Sequence, residues 1–162
     1  MKKSLLFLLL TTLFACQEQT PPPANAEQEL PTGGYDAEMA QELGADDYGM
    51  RKYVMALLKS GPNRSQDSTE AAQLQKAHLE NISRLAEEGK LSLAGPFLDN
   101  GELRGIYIFN VETVEEAKAL TETDPAIQQG RLVMELHPWY GSAALMKVNE
   151  IHEQLSQKSV AD

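Results

Sequence analysis

Arg51-Lys52-Tyr53-Val54-Met55-Ala56-Leu57-Leu58 runs into Ser60-Gly61-Pro62-Asn63, a strand-forming stretch ended by a turn signal. Its apolar residues are nearly continuous, which predicts a strand buried on both faces. Working outward, Asp67 with Glu70 three residues later opens a helix that reaches to about Glu88, and Gly89 closes it. Leu91 to Leu98 and Arg104 to Val111 read as two strands around the hairpin signal Asp99-Asn100-Gly101. Gly95-Pro96 either interrupts the first of these or puts it on a sheet edge. Thr113 and Glu116 form a second capping box for a helix to about Thr121, and Leu132 to Leu136 returns as a strand stopped by Pro138. The order β-α-β-β-α-β is the ferredoxin-like α+β arrangement, one sheet with both helices on a single face. Beyond Trp139, the residues Ala144, Val148, Ile151 and Leu155 recur at helical spacing. They mark an extra C-terminal helix whose apolar stripe needs cover, from its own sheet or from a second subunit.

Upstream of the fold, residues 1–15 have the three parts of a secretory leader. Lys2 and Lys3 are the positive start, Leu5 to Leu10 the apolar centre, and Leu13-Phe14-Ala15-Cys16 a small-residue cleavage site. The apolar run is too short for an ordinary spanning helix. Leu13 to Cys16 resembles the bacterial lipoprotein signal, which implies an acylated Cys16 as a lipid anchor and an extracytoplasmic domain held at the cell envelope. An ordinary signal peptide that leaves an incidental thiol is the alternative. Cys16 is the sole cysteine, so the mature chain has no internal disulfide to staple its core.

Residues 17–49 hold eight acids and no Lys or Arg, punctuated by Pro21-Pro22-Pro23, Pro31 and Gly33-Gly34. The composition predicts that residues 16–49 form an acidic tether, with a short helix over Asp36 to Leu43 left open. Residues 50–140 then make the folded domain, and residues 141–162 a C-terminal helix and tail. Removing the leader takes away two lysines and no acid, which moves the formal charge from -10 to -12. Such a chain has no surplus of cations to replace counterions on a phosphate backbone, so no nucleic-acid partner is expected.

At about 100° per residue, Ala71, Leu74, His78, Leu79, Ile82, Leu85 and Ala86 fall in one arc of the first helix, with Lys76, Glu80, Arg84 and Glu87 opposite. His78 therefore points toward the sheet. Two readings are open: a core histidine satisfied by a backbone carbonyl, or an imidazole tuned by a nearby carboxylate. Asp124-Pro125 offers that carboxylate, and it also reads as a helix cap followed by proline at the first helical position. One oxygen can cap while the other holds a histidine tautomer.

The segment Tyr53 to Arg64, then His78-Leu79, Glu88-Gly89-Lys90-Leu91, Ala94-Gly95-Pro96-Phe97, Asp124-Pro125 and Pro138-Trp139 together resemble the YCII-related (YciI-like) family over about residues 51–140. The resemblance implies a ferredoxin-like fold that pairs into a dimeric α+β barrel, a homodimer, with a pocket containing a histidine and an aspartate. By position these fall on His78 and Asp124. One enzymatic theme comes with it, lyase-like removal of halide from a chlorinated hydroxylated aromatic. Here Ala126 replaces the aromatic usual after the Asp-Pro pair, which reshapes the expected pocket.

These residues permit proton transfer: His78 as general base or acid, with Asp124 orienting it, in a small cofactor-independent, lyase- or isomerase-like enzyme. Arg64, Tyr53 and Trp139 are the candidates to line the small-molecule cavity; their alternatives are a solvated loop charge, a strand-face aromatic and a core plug. His137 reads as a strand-end residue and His152 as solvent-facing. Histidines so scattered predict no metal site, and no Gly-rich phosphate loop follows a strand, so no nucleotide cofactor is expected. The competing function is a non-catalytic ligand-binding or protein-interaction module of the envelope.

Overall fold

The computed structural model describes residues 34–159. In chain order these run α1 (Ala37–Glu42), β1 (Met50–Ser60), α2 (Ser68–Glu87), β2 (Leu91–Pro96), β3 (Leu103–Phe109), α3 (Val114–Thr121), α4 (Pro125–Gln128) and β4 (Leu132–Ser142). A 3-10 turn (Ala143–Lys147) and α5 (Val148–Leu155) complete them. The four strands form one antiparallel sheet of order β2-β3-β1-β4, the ferredoxin-like order with α1, α4 and α5 added. Both expected capping boxes are present: Asp67 accepts from the Thr69 and Glu70 amides, and Thr113 from that of Glu116.

Register sorts the side chains onto two faces. Val54 lies opposite Phe109 and Pro138, and Ala56 opposite Tyr107 and Leu136. On this face Val54, Ala56, Leu58, Tyr107 and Phe109 pack with Leu85 of α2 and Ala117 of α3 into one buried core. The alternate residues point the other way. There Tyr53 is buried against Trp139, ring centroids 5.8 Å apart, and its hydroxyl donates to the Ser142 carbonyl at 3.0 Å. Met55, Leu57 and Ile106 beside them are only half-buried. The expectation of a β1 buried on both faces thus holds in full on one side only, because α2 and α3 both pack on that side.

Pro138 does not stop β4, which continues to Ser142. Gly61 donates to the Arg131 carbonyl at 2.9 Å, and counting on by twos makes 133, 135, 137 and 139 the bonded positions along β1. Pro138 falls between them, on an edge strand, where its missing N–H would have faced outward. The β2–β3 connection is also looser than the hairpin signal predicts, spanning residues 97–102, and β2 is the other edge strand, which accommodates Gly95-Pro96.

The compact unit that holds the sheet begins at Asp36, within the acidic stretch. Asp36 caps α1 by accepting from the Met39 amide at 2.9 Å. Arg51 donates to the Leu43 carbonyl at the far end of that helix at 2.8 Å, and Lys147 pairs with Glu42 at 3.0 Å. These cations lie outside the acidic stretch itself, so its own composition gives no sign of them. Past the sheet, the expected continuous helix is split into the 3-10 turn and α5. Asn149 fixes α5 to β2 by donating to the Leu91 carbonyl at 2.7 Å, while Ile151 and Leu155 of the expected stripe are exposed. Among the described residues no helix is long and apolar enough to cross a membrane. The leader and Cys16 lie outside the described residues.

Candidate active site

α2 carries His78 against the sheet, and the loop after α3 brings Asp124 to meet it. His78 is 7% exposed and Asp124 fully buried, with Nδ1 of the ring 2.6 Å from Asp124 Oδ2. The other carboxylate oxygen, Oδ1, accepts from the Ala126 amide at 2.8 Å and caps α4, whose first residue is Pro125. Cap and partner are therefore two oxygens of one side chain. An ionised carboxylate only accepts, so the proton in the pair belongs to Nδ1, which leaves Nε2 of a neutral ring as an acceptor.

That acceptor meets Tyr107, a residue the sequence reading does not single out. Its hydroxyl is 3.3 Å from His78 Nε2, and the two rings stack at 6.2 Å with planes 19° apart. Burial, and then the negative charge of Asp124, push the phenol far above its ordinary range. It stays protonated and donates to Nε2. The signal that could have found it is the alternation of β3: Gly105, Tyr107 and Phe109 share the helix-facing side, and a buried tyrosine hydroxyl needs a partner.

A polar network ties Asp124 in place. Asn81, one turn beyond His78 on α2, accepts through Oδ1 from Arg84 at 2.8 Å and from the Thr123 hydroxyl at 3.0 Å. Arg84 also donates to Thr123 at 2.9 Å. The residue before Asp124 is thus held to the helix that bears the imidazole. Asn81 Nδ2 is buried without a partner among the described residues.

The other anticipated residues are placed differently. Tyr53 and Trp139 sit on the face of the sheet away from His78, so the structure does not bring them to the pair. Arg64 is exposed on the β1–α2 loop and lines a recess of about 250 Å³ with Gln75, Arg104, Ala126 and Arg131. Gln75 stands one helical turn before His78, and Ala126 is the residue whose amide Asp124 holds. A roomier hollow of about 490 Å³ lies between α5 and the α2–β2 side, lined by Ile82, Leu91, Val148 and His152; neither it nor the recess is lined by His78, Tyr107 or Asp124 themselves. His137 is a strand residue whose Nε2 meets Glu135 at 2.9 Å, and His152 is exposed on α5. Among the described residues, no three His, Cys, Asp or Glu side chains gather where they could hold an ion.

With this geometry in view, residues 52–140 match the YCII-related domain. The chain belongs to that family. The YCII-related segment runs from β1 to the Tyr140 position of β4, so it takes in His78, Tyr107 and Asp124 and leaves out α1, α5 and Cys16. A similar protein is the uncharacterized protein YjpA of Bacillus subtilis (strain 168), 31% identical over 62 residues, 38% of this chain and 71% of YjpA.

Proposed function

We propose that this YCII-related protein is a small cofactor-independent enzyme that moves a proton on a small organic substrate, of lyase or isomerase type. The observation that carries the reading is the 2.6 Å contact between His78 and a carboxylate whose other oxygen is already committed to a helix cap. Asp124 fixes the tautomer and steadies the imidazolium that forms when Nε2 takes a proton; a general base so placed contributes about 10²- to 10⁴-fold to a rate. The Tyr107 hydroxyl stands where the substrate's proton would arrive. Its contact is long, so a substrate can displace it. The half-buried Met55, Leu57 and Ile106 support pairing of two copies through the open sheet face. The leader supports anchoring at the envelope through a lipid on Cys16.

A second reading, a non-catalytic ligand-binding module, draws on one observation: Nε2 is already occupied by Tyr107 inside the fold. Solvent exchange separates the two. A panel of small hydroxylated acids and phenols incubated in D₂O should gain deuterium at carbon with the wild type, and about 10²-fold or more slowly with His78→Ala or Asp124→Asn. Equal exchange by all three proteins would leave only the binding module. Membrane release of a Cys16→Ser form would separately check the anchor.

A further inference from the structure

The recess beside the pair is lined by three arginines and no acidic residue: Arg64 from the β1–α2 loop, Arg104 from β3 and Arg131 just before β4, with Ser60, Gln75 and Ala126. We propose that it is an anion subsite, built to hold the carboxylate or phosphate group of a small organic acid one helical turn from His78.

Three observations carry this. First, the arginines are unspent. Of the twelve cations from Met50 onward, Lys59, Lys76, Arg84, Lys118 and Lys147 pair with a carboxylate; Arg64, Arg104 and Arg131 are among those that have no such partner in the described residues, and they alone gather at one recess. Arg104 makes one long bond, 3.4 Å to the Gly101 carbonyl, and Arg131 another, 3.3 Å to Gln66 Oε1; Arg64 makes none. From Met50 onward acids outnumber bases by 16 to 12, so supplying a partner would have been easy. Three like charges at one recess repel one another, and a bound anion reverses that sign. Planar guanidiniums match carboxylate and phosphate oxygens two at a time.

Second, the recess is held in shape. The loop that carries Arg64 is stapled to the one that carries Arg131. Asn63 donates from its amide to the Gly130 carbonyl at 3.0 Å and from its side chain to the Gln129 carbonyl at 2.9 Å. Gly61 approaches so closely that a Cβ there would lie 2.2 Å from the Gly130 oxygen. Preorganised donors lose less on binding than mobile ones. Third, the recess shares its walls with the pair: Gln75 is on α2 three residues before His78, and Ala126 donates its amide to Asp124. A volume of about 250 Å³ suits a charged group with a short carbon frame.

The inference deepens the proton-transfer reading by giving the substrate a charge, but binding of the anion does not itself require His78. The test is amide chemical-shift titration of the whole protein at constant ionic strength, with inorganic phosphate in one arm and acetate in the other. Saturable shifts gathered at Ser60, Gln75 and Ala126 are expected, the arm with tighter binding naming the group. Arg104→Gln and Arg131→Gln should each weaken that binding about tenfold or more, since each removes a charged hydrogen-bond donor. Lys118→Gln, on the surface of α3, should leave it unchanged. His78→Ala should retain anion binding. If it does while deuterium exchange shows no role for His78, the subsite stands and the catalytic reading falls. No saturable shifts with either anion, or equal affinity in the arginine variants with wild-type melting, would overturn the subsite.

Discussion

The two faces of the sheet are built from alternate residues of the same strands, yet only one of them is finished within the chain. On the helix-covered face, Val54, Ala56 and Phe109 are completely buried, and the polar His78–Asp124–Tyr107 cluster is packed beside them with both ring nitrogens of His78 engaged. On the open face, Tyr53 and Ile108 are buried, but Met55, Leu57 and Ile106 beside them are only half-buried. The contrast teaches where rigidity is placed. A buried imidazole and carboxylate need fixed partners, which a packed helix layer provides; the open face retains apolar surface that a second copy can cover.

The largest effect is expected where the finished face is broken. Phe109→Ala should cost about 3–5 kcal/mol in denaturant unfolding, the range for deleting a fully buried aromatic. Leu57→Ala, one face over, should cost about 1 kcal/mol in dilute protein. The difference sharpens with concentration: if two copies pair through the open face, the Leu57→Ala penalty grows as protein is added and the Phe109→Ala penalty does not. A Leu57→Ala cost that stays small at every concentration, with monomeric sedimentation, would mean that the half-buried face is simply solvated.

Asp124→Ala comes next, at about 3 kcal/mol. It removes both the α4 cap and the acceptor for a buried ring N–H, and the ring is then left without its partner. Asp124→Asn retains an oxygen for one of the two bonds and should lose less. Equal losses for the two variants would mean that charge, and not the pattern of acceptors, holds the cluster together.

What the sequence discloses here follows from range. Capping at Asp67 and Thr113 depends on residues three apart, so both helix starts are legible, as is the order of strands and helices. The inward aim of His78 follows from helical spacing alone. The second role of Asp124 is chemically permitted by its sequence, but its meeting with a residue 46 positions away is a tertiary fact. Pro138 misleads because its effect depends on whether its strand lies at an edge and on which register position it takes. Tyr53 and Trp139 are near enough in the fold to suggest a site, but strand parity turns them to the other face. The convergence of Arg64, Arg104 and Arg131 draws on three separate elements and has no local signature at all.

The smallest expected effect concerns the acidic segment, which composition assigns to a tether and the fold uses as a brace. Asp46 accepts from the amides of Tyr48 at 2.9 Å and Met50 at 3.0 Å, and its other oxygen accepts from the Tyr140 hydroxyl of β4. The Tyr140 bond first, then the backbone amides, hold the Asp46 carboxyl below its usual value, while the Tyr140 phenol is pushed up by the same bond. A carboxyl lowered on folding contributes its stability above its unfolded pKa, about 3.9, and loses it as pH falls through the lower folded value. Asp46→Asn should therefore lower the melting midpoint by no more than about 2 °C at pH 7, since the group is exposed and screened by water. The gap between the two proteins should close in acid, below about pH 4, where wild-type Asp46 is itself becoming neutral. Tyr140→Phe should give a similar loss, and the double variant no more than the larger of the two. A gap that persists unchanged into acid would mean that the turn at Asp46 is held by its backbone geometry, and that the carboxylate charge contributes nothing to bracing β1 against β4.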